Sequence, residues 1–402
     1  MRTQAWHRSS RPLRGLAGGL LAVACLWTAA APAVHSQVRV RPRARALGVP
    51  FHGTPGRLNA ITDVAGVEVG HATIVRGEGR LVVGQGPVRT GVTAVLPRGK
   101  RWAPVFAGWF AGNGFGEMTG APWVVEGGVL GGPVMITGTY SVGVVRDAVN
   151  SWFHEVLHQP IPWHQPVVGE TSDAFLNDGQ GQHVTKAHAF AALNGAQSGP
   201  VAEGSVGGGT GMVAHGFKGG IGTASRLVDR YTVGILVQAN YGTRESLTIA
   251  GVPVGRDIQG AERQGGAGAA APDDREGSII VVVATDAPLL PHQLERVARR
   301  VPMGIARMGG TASNGSGDIF IAFSTANEGA AAESGETPIT WLPNNDLSAL
   351  FEATVDATEE AIVNALVAAE TMTGIDGHTV HALPIDQLQA ILRKYNRLGP
   401  VR

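Results

Sequence analysis

Apolar positions follow two rhythms along this chain. In the first part, short apolar runs alternate with glycine turns: Val67-Glu68-Val69, Val92-Thr93-Ala94-Val95-Leu96 and Gly131-Gly132-Pro133-Val134-Met135-Ile136 each predict a strand. Over residues 143–158 the period lengthens. Val144, Val145, Ala148, Trp152, Val156 and Leu157 fall near helical spacing, and Pro160 with Pro162 would end the helix. A shorter helix is predicted over 184–193. The glycine-rich stretch 204–225 leads into a strong strand, Tyr231-Thr232-Val233-Gly234-Ile235-Leu236-Val237.

The pattern changes most sharply at residues 259–277, where glycine, alanine, proline and acidic residues carry no apolar period. A flexible surface loop is expected there. It is followed at once by Ser278-Ile279-Ile280-Val281-Val282-Val283-Ala284, a β-branched run suited to a strand buried on both faces. A helix should begin at Pro288 or Pro291, with Leu294, Val297, Ala298 and Val301 on one side. Residues 319–323 read as another buried strand. Residues 347–372 read as a long helix, with Gly374 positioned to stop it. Strands and helices mix throughout, which predicts an α/β or α+β fold.

Composition narrows the possibilities. Of 402 residues, 44% are hydrophobic, so a packed core is expected rather than disorder. Lys plus Arg equals Asp plus Glu at 32 each, and no basic stretch is dense enough to suggest a nucleic-acid partner. The 58 glycines are spread without a repeat, which suits a sheet-rich enzyme with tight turns. Residues 1–36 read as an export signal: Arg2, Arg11 and Arg14 precede an apolar stretch, and Ala31-Pro32-Ala33 or Ser36 offers a cleavage site. Cys25, in Ala22-Val23-Ala24-Cys25, gives a lipoprotein-type alternative. It is the only cysteine, so a processed chain would have no disulfide and no thiolate. A periplasmic or secreted protein without a stable membrane span is expected.

The Gly277-Ser278 junction holds the sharpest chemistry. A serine there could cap a strand, serve a turn, or become an N-terminal nucleophile once the loop is cut. Self-cleavage needs a small residue before the serine, so that its hydroxyl can attack the preceding carbonyl. It also needs a bendable loop before the bond and a rigid strand after it. All three are present. The new α-amine, with an ordinary pKa near 8, would act as general base for the hydroxyl on the same residue.

The segment Gly277-Ser278-Ile279-Ile280-Val281-Val282-Val283-Ala284-Thr285-Asp286-Ala287-Pro288-Leu289-Leu290-Pro291-His292-Gln293-Leu294 resembles the small-chain start of the L-aminopeptidase/D-esterase and β-peptidyl aminopeptidase family. Leu58-Asn59-Ala60-Ile61-Thr62-Asp63-Val64-Ala65-Gly66-Val67, Gly219-Gly220-Ile221-Gly222-Thr223-Ala224-Ser225-Arg226 and Ala368-Ala369-Glu370-Thr371-Met372-Thr373-Gly374 add further blocks in the same order.

This resemblance implies a four-layer αββα sandwich, similar to ornithine acetyltransferase. It implies one catalytic domain, split into a large chain (37–277) and a small chain (278–402). Autocleavage would fall between Gly277 and Ser278, with Ser278 as nucleophile. By the same resemblance, Ser316 and Asp318 of Ser316-Gly317-Asp318 orient or polarise the nucleophile's hydroxyl and amine. Asn240 supplies an oxyanion-hole amide, and Glu170 holds the substrate's free amine. Ser172 stands where aminopeptidase relatives commonly carry Tyr, which leaves substrate preference open among L-, D- and β-residues. The resemblance also implies short peptide, amide or ester substrates, a homo-oligomer (a tetramer of two-chain units), and no cofactor or metal.

Three other readings compete. His154-Glu155-Val156-Leu157-His158 is a literal HExxH pattern, which on a helix could bind zinc with Glu155 as base. Gly207-Gly208-Gly209-Thr210-Gly211 invites a phosphate loop but lacks its Gly-Lys-Ser/Thr ending, so structural turns fit better. An exported binding protein, with Ser278 as an ordinary strand residue, would stay uncut.

Overall fold

The structure, a computed structural model, describes residues 42–261, 277–330, 332 and 334–400. The predicted export signal with Cys25 and residues 262–276 of the predicted loop lie outside these. The β-branched runs build two sheets. The larger has six strands in the order Val129–Leu130, Val105–Gly114, Gly317–Ser324, Ser278–Thr285, Tyr231–Asn240 and Gly220–Val228. The smaller has four, in the order Glu68–Arg76, Val88–Leu96, Val134–Gly138 and Val167–Thr171.

Each sheet contains one parallel pair among antiparallel ones. These pairs are Ser278–Thr285 with Gly317–Ser324, and Val134–Gly138 with Val167–Thr171. A parallel pair cannot be joined by a hairpin, so each demands a crossover. Helices Pro291–Ala298 and Val301–Arg307 supply the first, and helix Val142–Glu155 supplies the second.

The central strand explains the layers. Ile279, Val281 and Val283 lie in a core shared with the helices Pro291–Ala298, Val301–Arg307 and Ser348–Ala368. Ile280, Val282 and Ala284 lie in a second core with Val134, Ile136 and Val167 of the other sheet. Alternate side chains of one strand thus fill opposite cores, so the run had to be apolar at every position. A third core joins the four-stranded sheet to helices Val142–Glu155 and Lys186–Asn194 through Val145, Val149, Trp152, Ala189 and Leu193. The result is the αββα sandwich.

Several boundaries differ from the sequence pattern. The first long helix ends at Glu155, and His158 beyond it takes a left-handed backbone, φ 53°. The apolar face expected to run on to Val301 is two helices, because Pro302 opens a new first turn and cannot donate into the preceding one. The last long helix stops at Ala368, where Ala369 turns extended. Met372-Thr373 then pairs with Thr379-Val380, so Gly374 belongs to that hairpin and not to the helix end. Strands Val105–Gly114 and Gly220–Val228 went unpredicted, their glycines having masked the strand pattern.

Candidate active site

Register brings the predicted residues together. Ser278 opens the central strand, directly opposite Asn240 on its antiparallel neighbour and opposite Gly317 on its parallel one. Three segments distant in sequence therefore meet at one end of the six-stranded sheet.

Ser278 is half-buried, and its Oγ accepts a hydrogen bond from Gly317 N–H at 3.1 Å. A methyl group on Gly317 would lie 3.1 Å from that oxygen and 2.8 Å from Gly116 Cα, so only glycine fits between them. Gly277 is confined in the same way: a Cβ there would approach Asn240 O to 2.5 Å and Tyr241 Cα to 2.8 Å. The bond between Gly277 and Ser278 is thus pressed against the end of the Asn240 strand.

Ser316 and Asp318 are buried and bonded to each other, with Ser316 Oγ donating to Asp318 Oδ1 at 2.6 Å. Burial pushes the Asp318 carboxyl up to about 6, despite the opposing effect of the Ser316 hydrogen bond. The hydrogen bond given to Ser278 comes from the backbone of Gly317 between them, a contact that side-chain motifs could not reveal. Asn113, which pairs with Asp318 in the neighbouring strand, donates its side-chain amide to the carbonyls of Ser313 (3.1 Å), Asn314 (3.1 Å) and Ser316 (2.5 Å). It thereby holds the turn that delivers Ser316-Gly317-Asp318. No sequence signal pointed to it, since the strand that ends in Gly112-Asn113-Gly114 was itself unpredicted.

Asn240 Oδ1 accepts from Val213 N–H at 2.8 Å, which fixes the carboxamide plane. The next residue, Tyr241, is also buried, and its phenol has no hydrogen-bond partner among the described residues. Burial, and secondarily the Asp318 charge, push that phenol well above its ordinary range, so it stays protonated.

Glu170 lies in the Val167–Thr171 strand of the other sheet and is buried. Its Oε1 accepts from Glu117 N–H at 3.1 Å, and its Oε2 accepts from the Thr139 hydroxyl. A Cβ on Gly116 would be 3.2 Å from Glu170 Oε1 and 3.0 Å from Gly317 Cα, so a single glycine separates the carboxylate from the Ser278 cluster. Thr139 is 31 residues from Glu170, and no local signal pointed to it. Ser172 is exposed, and its hydroxyl accepts from Ala174 N–H at 3.4 Å in a local turn.

The rival motifs do not assemble. The helix ends at Glu155, so His158 falls off the face that HExxH chemistry requires. Glu155 is instead paired with Lys186 Nζ, at 2.8 and 3.0 Å, and both His154 and His158 are exposed. In the glycine cluster, the N–H groups of Gly207 and Gly208 are taken by the hydroxyls of Thr73 and Thr93, at 2.8 and 3.1 Å. Donors already bound inside the protein cannot cradle a phosphate.

Residues 59–380 match peptidase family S58. The chain belongs to this family. The family member is 56% identical over 374 residues to β-peptidyl aminopeptidase BapA of Sphingosinicella microcystinivorans, covering 90% of this chain and 94% of that one. It is 46% identical to the L-aminopeptidase D-Ala-esterase/amidase of Ochrobactrum anthropi, described as a prototype for the serine aminopeptidases and a new variant of the Ntn hydrolase fold. That structure superposes with a TM-score of 0.82, covering 89% of this chain and all (100%) of that one. A β-aminopeptidase from a Burkholderia species is 47% identical with a TM-score of 0.79, over 88% of this chain and 99% of that one. This S58 member is accordingly an enzyme of the serine aminopeptidase class, and neither the zinc peptidase nor the binding protein finds support.

Proposed function

We propose that this S58 enzyme matures by cutting itself between Gly277 and Ser278, and then uses Ser278 to remove small N-terminal residues from short peptides, amides or esters. The observation that carries the reading is the position of Ser278. It opens the central strand with Gly317 N–H on its Oγ, and Gly277 is packed against Asn240.

In maturation, Ser278 Oγ attacks the Gly277 carbonyl carbon and the Gly277–Ser278 amide becomes an ester. Water then hydrolyses the ester, leaving a Gly277 carboxylate and a free Ser278 α-amine. In turnover, that amine takes the hydroxyl proton as Oγ attacks the substrate carbonyl, and the proton passes to the departing amine. Asn240 Nδ2 stabilises the oxyanion, and Glu170 pairs with the substrate ammonium, which distinguishes a chain end from an internal bond. Ser316 and Asp318, bonded to each other, position the nucleophile through the Gly317 N–H that lies between them. Water releases the product from the acyl-enzyme, so every step uses the chain's own groups and water. The relatives named for β-peptide cleavage support β-residues as substrates alongside L- and D-residues. Export directed by residues 1–36 and assembly of two-chain units into a tetramer complete the proposal.

Intact-mass analysis of wild type beside Ser278→Ala tests it. Wild type should give two chains joining at Gly277/Ser278, and the variant one uncut, inactive chain. An active wild type that remains whole would overturn the mechanism.

A further inference from the structure

Lys218 is fully buried, yet no carboxylate lies within ion-pair distance of it among the described residues. Its Nζ donates instead to three backbone carbonyls: Met212 at 2.8 Å, Gly219 at 2.9 Å and Gly209 at 3.4 Å. Three acceptors match the three N–H bonds of an ammonium, whereas a neutral amine has only two. Burial alone pulls the ammonium down to about 7. Holding a cation here is costly, and lysines in such surroundings are uncommon without a paired charge.

The carbonyls it gathers belong to one small device. Val213-Ala214 and Phe217-Lys218 form a two-stranded hairpin, turned by His215 and Gly216, both at positive φ (50° and 71°). The hairpin docks on the end of the Asn240 strand at two points. Val213 N–H donates to Asn240 Oδ1 at 2.8 Å, and His215 N–H donates to Tyr241 O at 2.7 Å. Lys218 lies opposite Val213 in the hairpin register, and its Nζ binds the carbonyl of Met212, the atom immediately before the Val213 N–H. The ammonium therefore clamps the same peptide unit whose other end orients the Asn240 carboxamide. Polarising that carbonyl also strengthens the N–H as a donor.

We infer that Lys218 is a positioning residue for the oxyanion hole: through the Met212–Val213 peptide it fixes Asn240 so that Nδ2 is aimed at the oxygen on the carbon attacked by Ser278. The inference rests on the oxyanion role proposed for Asn240. A carboxamide free to rotate loses its aim for the transition state more than for the bound substrate, so the effect belongs in kcat rather than KM.

The test compares Lys218→Met, Asn240→Ala and the double variant, each first shown by intact mass to be cut at Gly277/Ser278. In Lys218→Met, kcat for a chromogenic amino-acid anilide should fall on the order of 10-fold or more, with KM nearly unchanged. Adding Lys218→Met to Asn240→Ala should cost little further, since the group it positions is gone. Lys218→Gln, which keeps two N–H donors, should fall between Met and wild type, and it serves if the apolar variant does not fold. Losses that multiply in the double variant, or a folded Lys218→Met with wild-type kcat, would overturn the inference. Wild-type kcat in Asn240→Ala would instead overturn the oxyanion reading beneath it.

Discussion

Asn240 and Ser278 stand directly opposite each other across an antiparallel pair, with the Asn240 carboxamide oxygen already engaged by Val213. That engagement occupies the oxygen and leaves the amide's N–H groups as the donors that the proposed oxyanion role requires. Asn240→Ala should therefore lower kcat by about 100- to 1,000-fold, the cost of losing one oxyanion donor in other hydrolases. A steady-state assay on processed enzyme decides it, and a loss confined to KM would contradict the assigned role.

Gly317 gives a steric prediction. In Gly317→Ala the new methyl group would press on Gly116 Cα and on Ser278 Oγ, at 2.8 and 3.1 Å. Overpacking of this kind costs about 1–3 kcal/mol. The backbone at this site must shift to relieve it, so the variant should fold with a lowered Tm while processing and turnover both slow sharply. Near-normal self-cleavage, followed by mass over time, would show that the contact with Ser278 Oγ is not needed.

Asp318 should impose a pH signature. In the folded protein its carboxyl titrates near 6 rather than 3.8, because burial penalises the charge. The folded state thus binds more protons than the unfolded state between those values, so this group's contribution to stability falls as pH rises from about 4 to 6. Asp318→Asn should gain on wild type in urea unfolding at pH 7 relative to pH 4.5. A stability difference that does not change with pH would refute the buried-carboxylate account.

The same ionisation should appear in turnover. The Asp318 carboxylate accepts the Ser316 hydroxyl at 2.6 Å and loses acceptor capacity once protonated. An acid limb near pH 6 is expected in kcat/KM, below the acid limb of the α-amine that the proposed cleavage would free on Ser278, whose ordinary value is near 8. Asp318→Asn should remove the lower limb and leave the upper one.

Glu170 should govern recognition of the free amine. Its oxygens are held by Glu117 N–H and the Thr139 hydroxyl, so the carboxylate is fixed before any substrate arrives. Glu170→Gln keeps the shape but removes the charge. It should lower kcat/KM by about 10- to 100-fold, the worth of a charge-assisted hydrogen bond. It should also narrow the preference for free-amine over N-acetylated substrates. Undiminished discrimination would place amine recognition elsewhere.

Elements with a strong local cause are legible in the residue pattern. The run from Ile279 to Ala284 had to be a strand buried on both faces, because every position is apolar, and it is one in the structure. The junction of a pattern-free loop, a small residue and that strand singles out Gly277 and Ser278 as the candidate site on which the proposed function rests. Tertiary structure alone decided what depends on partners distant in the chain. The parallel register puts Gly317 N–H on Ser278 Oγ, 39 residues away, and the hairpin near Lys218 reaches Asn240 27 residues away through Val213. It also decided against the HExxH pattern, since that spacing means a shared face only on a continuing helix, and this helix ends at Glu155. Side-chain identity and period are properties of the local chain, and a sequence displays them. Backbone donors carry no residue signature, and where they point is set only when the strands have paired.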